Sequence, residues 1–361
     1  MHDRYLINGA SMSIPQQDLQ YQSYDRYLIT GATGFLGRTL AEQLVRRGAK
    51  VYALVLPDDP YIELLPKEVH VVTGDVCVRG SLSHFFTGAG RRSCLIHCAG
   101  IVSVASHPGN TLFQVNVVGT RNIMLLCSEY NIGRMIYVSS VHAIPEQPRG
   151  KVITEECEFS PMLVNGAYAK SKAAATELAF EAIRLGLRAN VVFPSGIIGP
   201  GDVVGGSFTA MIKAFLTGKL PLSVKGGYDF VDVRDVARGI IACSESSEVG
   251  HGYILSGHYI TIDKMLQIVR KTAEAKHRSI PLPVGLAMLA APHFEKTSLR
   301  KDIQPFFTPY SVSVIASNAQ FSHAAATESF AYEPRPIEET LRDMTEWLIR
   351  QSETGDSMTT D

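Results

Sequence analysis

The sequence predicts a doubly wound α/β fold, a parallel sheet covered by helices on both faces with a smaller C-terminal lobe, and three observations carry that prediction. Short apolar runs alternate with helical patterns from residue 26 to about residue 198. A glycine-rich turn, Tyr27-Leu28-Ile29-Thr30-Gly31-Ala32-Thr33-Gly34-Phe35-Leu36-Gly37, joins the first run to the first helix. From about Gly199 the alternation gives way to short elements separated by proline-rich loops. Near-continuous apolar strands separated by helices are the pattern of a parallel sheet buried on both sides.

Taken in order, residues 1–25 are expected to form a poorly ordered extension or an extra edge segment. Asp3 to Ala10 nearly repeats Asp25 to Ala32, but the first copy continues Ser-Met-Ser-Ile-Pro, without the second and third glycines. Strands are expected at 27–29, 50–55, 69–73, 94–98, 135–138 and 191–193, with helices at 35–47, 116–130 and 168–185 between them. These make up a nucleotide-binding half over 26–198, to which core elements return near 228–255: residues 230–233 extended, 235–243 helical and 253–255 a strand. The lobe over 199–350 is expected to carry helices at 207–217, 262–275, 283–291 and 337–350. The polar residues 351–361 read as a disordered tail.

Composition narrows the function classes. At 361 residues, 45% hydrophobic and 19% charged, the chain is an ordinary globular protein. A net charge of −1 signals no basic surface, so nucleic acid is not an expected partner. The start Met-His-Asp-Arg lacks the basic-then-apolar pattern of a secretory signal, and the apolar stretch 280–292 is too short and too broken by proline to span a bilayer. A cytoplasmic protein without membrane contact is expected. Cys94, His97 and Cys98 sit close together, but on a strand neighbours point to opposite faces and no second cluster has ligand spacing, so no metal is expected.

The chemistry-bearing residues follow the strands. The three glycines let the backbone turn tightly, approach a phosphate without a Cβ in the way and pack the helix on the strand, and the helix N-terminus offers free N–H groups to an anion. Such a turn between a strand and a helix, with a second strand at βαβ distance, is the signature of a dinucleotide-binding (Rossmann) fold. Tyr168-Ala-Lys-Ser-Lys172 opens a helix, and residues four apart share one face. An ammonium beside a phenol favours the phenolate, which makes Tyr168 a candidate general acid/base. An isolated pair of this spacing is more often a chance surface pair. Ile136-Tyr137-Val138-Ser139-Ser140, however, ends a strand in two hydroxyls at the sheet edge where ligands lie, and a serine there can bond the oxygen that Tyr168 protonates. His142, two residues on, is read as a loop histidine rather than a proton relay.

The glycine turn, the set Ser140, Tyr168 and Lys172, the Asn116-Val-Val-Gly-Thr segment opening its helix, and Pro194-Ser-Gly-Ile-Ile-Gly-Pro-Gly201 together resemble the extended short-chain dehydrogenase/reductases, the NAD-dependent epimerase/dehydratase family. Phe230-Val-Asp-Val-Arg-Asp-Val-Ala-Arg238 fits a later motif of the same family, so the resemblance spans about residues 26–350. It implies that Gly31, Thr33, Gly34, Phe35, Leu36 and Gly37 hold the pyrophosphate of an NAD(P) cofactor, that Asp75 and Val76 contact its adenine, and that Ala99 and Gly100 line it. Asn116 would shape the site, Pro194 and Ser195 would flank the nicotinamide carboxamide, and Lys172 would bind the nicotinamide ribose and lower the Tyr168 pKa. Of the two serines, Ser140 aligns better with the family's catalytic serine. The resemblance also implies a homodimer.

Within that family, Ser140-Val141-His142 stands where dehydratases show Thr-Asp-Glu, and Phe193-Pro194-Ser195-Gly196 stands where sugar-nucleotide epimerases carry an asparagine. The pattern is closest to the dihydroflavonol reductase and 3β-hydroxysteroid dehydrogenase branches. The implied activity is reversible hydride transfer between the cofactor and a carbonyl or secondary alcohol of a small hydrophobic substrate, with an epimerase using the same residues as the alternative and a non-catalytic redox sensor as a second one. Residues 282–291 are read as a core helix ahead of a pocket wall. The second strand ends Leu54-Val55-Leu56-Pro57 with no charge to choose NAD or NADP, and Asp58 and Asp59 follow slightly late. Arg38, just after the last glycine, tips the expectation to NADP.

Overall fold

The computed structural model describes residues 24–106, 109–300 and 305–353. The near-repeat at 3–10 lies outside them, as do residues 354–361. The first half runs β1 (Arg26–Thr30), α1 (Phe35–Arg46), β2 (Val51–Val55), β3 (His70–Thr73) and β4 (Ser93–His97). Then come α2 (Thr111–Phe113), a π-turn at Gln114–Gly119, α3 (Thr120–Glu129), β5 (Arg134–Val138), α4 (Ala167–Arg184) and β6 (Ala189–Pro194).

These strands, with one that arrives later, form a seven-stranded sheet in the order β10-β6-β5-β4-β1-β2-β3, parallel throughout, where β10 is Gly252–Leu255. From β1 the chain winds outward to β3, then returns to β4 on the other side of β1. The carboxyl ends of β1 and β4 therefore open into a crevice at the point where the winding reverses. Strand alternation splits the core: Leu28, Leu95, Met135, Tyr137 and Phe193 pack under α3 and α4, while Ile29, Ile96, Ile136 and Val192 pack under α1. Small residues Ala169, Ala173 and Ala179 let α4 sit close to the sheet.

Past β6 come β7 (Gly196–Ile198), α5 (Ser207–Leu216), β8 (Leu222–Val224), β9 (Gly227–Asp232) and α6 (Val233–Glu245), the last packing beside α1. Beyond β10 lie β11 (His258–Thr261), α7 (Ile262–Thr272), β12 (Ile280–Leu282) and α8 (Val284–Arg300). The chain ends in α9 (Pro309–Ala316), α10 (Ala324–Phe330) and α11 (Ile337–Glu353). Two small sheets, β11-β9-β7 and β12-β8, organise this part.

Several elements depart from the sequence expectation. The helix expected at 116–130 starts at Thr111 and is interrupted by the π-turn, so Asn116 lies inside that turn and does not open the helix. The helix expected at 283–291 continues through Pro292 to Arg300. It is not a plain core helix either, since Ala287 and Ala291 are buried while Leu286 is 56% and Leu289 80% exposed. The last helix runs to Glu353, into the stretch read as a tail. Strands β7, β8, β11 and β12, three or four residues each, were invisible because such lengths show no periodicity and exist only through distant partners. Helix α9 did carry a signal: Thr308 and Ser311 form a capping box around Pro309. No described helix is long and apolar enough to cross a membrane.

Candidate active site

The glycine turn closes the crevice between β1 and β4. Gly31 has φ of +65°, and a Cβ there would lie 2.7 Å from the Ala99 nitrogen. Gly37, inside α1, faces the Gly31 carbonyl, where a Cβ would sit at 2.1 Å. Gly34 precedes the helix and no side chain caps α1, so the first-turn N–H groups at Phe35 and Leu36 are left to a ligand. A cradle that excludes a Cβ at Gly31 and Gly37, with an uncapped helix start, is the surface a pyrophosphate fits.

Around the cradle the other expected cofactor residues are placed by their own bonds. Asp75, just beyond β3, accepts from the Cys77 N–H at 2.8 Å, and the Val76 carbonyl accepts from Asn122 Nδ2 at 2.9 Å. Ala99 N–H donates to Thr30 Oγ1 at 3.2 Å. Gly100 lies against Asn116 Oδ1 and Lys172 Nζ, 3.3 and 3.4 Å from where its Cβ would stand. Pro194 ends β6, and Ser195 N–H donates to the Leu255 carbonyl at 3.3 Å. Arg38 is buried, bonded to the Gly201 carbonyl and 3.8 Å from Glu42. Its guanidinium is engaged rather than free.

Sequence reasoning set Asp59 aside as too late in the chain. An Asx turn folds it back, with Oδ1 accepting from Tyr61 N–H at 2.9 Å and Oδ2 from Thr33 Oγ1 at 2.7 Å. A carboxylate therefore stands at the glycine turn.

The two serines after β5 separate by direction. Ser139 turns into the core and shares a bond with Thr176 on α4 at 2.7 Å. Ser140 caps the one-turn helix Val141–Ala143, accepts from His142 N–H at 3.2 Å and lies near enough to the Tyr168 phenol to favour its ionised form. Tyr168 is buried, and burial pushes its phenol up to about 12 against the opposing pull of the Ser140 hydroxyl. Lys172, expected to lower the Tyr168 pKa, has its ammonium engaged elsewhere in this structure. The Lys172 ammonium, one helical turn away, donates instead to the Val138 carbonyl at 2.9 Å and lies 5.3 Å from the Tyr137 ring centre. Burial pulls Lys172 down to about 8.

Asn116 ties this group to the crevice. Its Oδ1 accepts from Ile101 N–H at 2.7 Å, and its Nδ2 donates to the Ile101 carbonyl and to Ser171 Oγ, both at 3.0 Å. Ser171 in turn donates to the Tyr168 carbonyl at 2.7 Å. The π-turn aims Asn116 there, a device that recurs at functional sites. Ser171 was overlooked although it sits within the Tyr-Ala-Lys-Ser-Lys stretch itself.

Two histidines also have defined places. His97 is a buried bridge between Thr30 and Thr120, at 2.7 and 2.9 Å, and burial holds it neutral, down to about 3. Among the described residues no three His, Cys, Asp or Glu gather as a metal site. His142 is not a solvated loop histidine: it is packed against the rings of Tyr168, Tyr228 and Tyr310.

The later motif stays outside this group. Asp232 caps α6 and pairs with Arg234 at 2.7 Å, and Asp235 binds Arg238 and Arg335 at 2.7 and 2.9 Å, fastening the C-terminal helices to the sheet.

Comparison with known proteins agrees with this geometry. A protein named sterol demethylase protein B from Methylococcus capsulatus is 28% identical over 326 residues, covering 89% of this chain and 97% of its own length. The 3beta-hydroxysteroid-dehydrogenase/decarboxylase isoform 1 of Arabidopsis thaliana is 25% identical, covering 87% of this chain and 77% of its own. The crystal structure of gox2253 superposes with a TM-score of 0.78 at 29% identity, over 91% of this chain and 98% of its own. A UDP-glucose 4-epimerase from Thermotoga maritima, at 17% identity and a TM-score of 0.72, covering 91% of this chain and 99% of its own, shares the fold. The profile of the NAD dependent epimerase/dehydratase family matches residues 27–256. The chain is an enzyme of that family, of the extended short-chain dehydrogenase/reductase type.

Proposed function

We propose that this enzyme reversibly transfers a hydride between a nicotinamide dinucleotide and a secondary alcohol or carbonyl carbon of a small hydrophobic substrate. The observation that carries the reading is the buried Tyr168 phenol facing Ser140 just beyond the carboxyl end of β5, on the same helix as Lys172. The bound cofactor supplies the hydride acceptor or donor. Tyr168 takes the hydroxyl proton in oxidation and returns it in reduction, and Ser140 bonds the same substrate oxygen. Lys172 binds the ribose of the cofactor and places a positive charge beneath the site. Gly31, Thr33, Gly34, Phe35, Leu36 and Gly37 hold the pyrophosphate, Asp75 and Val76 meet the adenine, Ala99, Gly100 and Asn116 line the channel, and Pro194 and Ser195 face the carboxamide.

For the cofactor, Asp59 favours NAD, moving the preference away from NADP. Its carboxylate at Thr33 accepts a bond from a ribose hydroxyl and repels a 2′-phosphate, and Arg38 is already held by the Gly201 carbonyl. For the substrate, two relatives are named for work on sterols or hydroxysteroids. The outward Leu286 and Leu289 of α8 offer an apolar surface, and Glu295 on the same helix binds Ser106 N–H and Oγ at 2.7 and 2.8 Å in the loop that leaves β4. Steroid-like alcohols are therefore the first class to test.

The test follows reduced nicotinamide optically with 3β-hydroxysteroids and NAD or NADP, and with the 3-oxo steroids in reverse, against Tyr168→Phe. Tyr168-dependent cofactor turnover supports the reading. Turnover that survives in Tyr168→Phe overturns it. Tyr168-dependent inversion of a carbon centre with no net cofactor change would assign the epimerase instead.

A further inference from the structure

His142 is read from sequence as a bystander, yet its ring is the meeting point of three distant segments. Tyr310, near the start of α9, lies 3.0 Å from Nδ1 through its hydroxyl, and Tyr228, on β9, lies 3.3 Å from Nε2. The ring stacks on Tyr228 at 5.8 Å and 17° and meets the Tyr168 ring edge-on at 5.6 Å and 69°. Burial keeps the imidazole neutral, with its pKa down to about 4. A neutral ring has one N–H and one lone pair, so one phenol accepts and the other donates.

The clamp is built in from outside as well. Thr308 holds the first turn of α9 by its capping box and donates to the Val104 carbonyl at 2.7 Å, in the loop beyond β4. Gly166, which precedes the Tyr168 helix, leaves the space Tyr310 occupies, since a Cβ there would stand 2.3 Å from Tyr310 Cε2. Behind the cluster, among Glu146, Asn165 and Asn318, the free space is about 40 Å³, on the scale of a few waters.

We propose that His142 is a positioning residue: clamped between Tyr228 and Tyr310, it fixes the Ser140 turn and the Tyr168 ring relative to each other, so that the serine hydroxyl faces the phenol. This rests on the roles given above to Ser140 and Tyr168. The backbone N–H of His142 donates to Ser140 Oγ, which leaves the serine O–H to point at the phenol or the substrate oxygen. The pull of Ser140 is what opposes burial at Tyr168. Loosening the ring frees the turn, and the phenol then rises further.

The experiment places a fluorinated tyrosine at position 168 of the full chain and follows its ionisation by ¹⁹F NMR, with NAD⁺ binding measured in parallel by calorimetry. The other titratable groups around the cluster, Tyr137, Lys172, Tyr228, Tyr310 and Glu146, stay in place as each variant changes one residue. Ser140→Ala, His142→Leu and Tyr310→Phe should each raise the phenol pKa by roughly one unit, a tenfold loss of phenolate. NAD⁺ affinity should hold, and the His142→Leu/Tyr310→Phe double variant should shift no further than either single one. His142→Asn, which keeps a polar atom toward Tyr310, should restore most of the shift and guards against simple misfolding. An unmoved phenol in both His142→Leu and Tyr310→Phe, with Ser140→Ala shifted, overturns the proposal alone. An unmoved phenol in Ser140→Ala overturns the Ser140–Tyr168 pairing itself.

Discussion

Lys172 donates its ammonium to the Val138 carbonyl at 2.9 Å, so the helix of Tyr168 is pinned to the end of β5, the strand that leads into Ser140. Replacing Lys172 with Met strips a buried carbonyl of its partner and removes the charge beneath the cofactor site. Stability should fall by about 1–3 kcal/mol, dinucleotide affinity should drop, and turnover should fall on the order of a hundredfold. Chemical denaturation and calorimetry with NAD⁺ check the first two. Undiminished NAD⁺ affinity would remove Lys172 from the cofactor site.

Asp59 supplies a prediction about selectivity. In Asp59→Asn the acceptor for a ribose hydroxyl weakens and the repulsion of a 2′-phosphate disappears, so the ratio of NAD to NADP affinity should fall about tenfold. Titration of both cofactors reads it directly. An unchanged ratio would leave Asp59 a support for Thr33 and nothing more.

Gly37→Ala brings a Cβ to within 2.1 Å of a backbone oxygen that cannot give way without moving the cradle. A loss of about 3 kcal/mol or more is expected, together with dinucleotide binding. Gly285→Ala, also at a helical position, is the control for the glycine-to-alanine change itself, since its φ is not positive and no atom lies within 4 Å of the added carbon. Equal destabilisation by both would show that the close approach at Gly37 is not what matters.

Acid should weaken the fold well before the carboxylates titrate. His97 is buried and His142 half-buried, and both are held neutral, with values down to about 3 and about 4, while an unfolded imidazole titrates near 6.5. Below that point the unfolded chain takes up protons the folded one refuses. Their contribution is therefore complete above about pH 6.5 and is lost as pH falls, by up to about 1.4 kcal/mol per unit for each ring. Asp229, pushed up to about 6 by burial, works the other way over part of the range. The clean measurement is thus a difference: His97→Gln should lose stability less steeply than the parent between pH 6.5 and 4.5. Parallel curves for the two proteins would mean that His97 charges freely in the folded state.

The parts of the site that were readable in the sequence are those coded by short spacing. The three glycines, the Ser139-Ser140 strand end and the Tyr168/Lys172 pair lie within one element or one turn, where geometry follows from helix and strand periods. Spacing gives proximity but not direction. It placed Lys172 one turn from Tyr168 without showing that its ammonium turns to Val138 or that burial raises the phenol. Contacts across long separations were not readable at all. His142 and Tyr310 are 168 residues apart, and Thr33 meets Asp59 only because an Asx turn bends the loop after β2. The same holds for β7 and β11, which are strands because β9 runs between them.

The π-turn at Gln114–Gly119 carries a consequence for how this site is inherited. Each α-helical residue rotates the chain by about 100°, and a π-turn winds one more residue into the same climb. The side chains before and after it consequently belong to helices set out of phase, and Asn116, inside the turn, reaches Ile101. Deleting one residue between 114 and 119 would keep every named side chain in the sequence and still swing Asn116 away from its partners. At this point the site is encoded in a count of residues as much as in their identities.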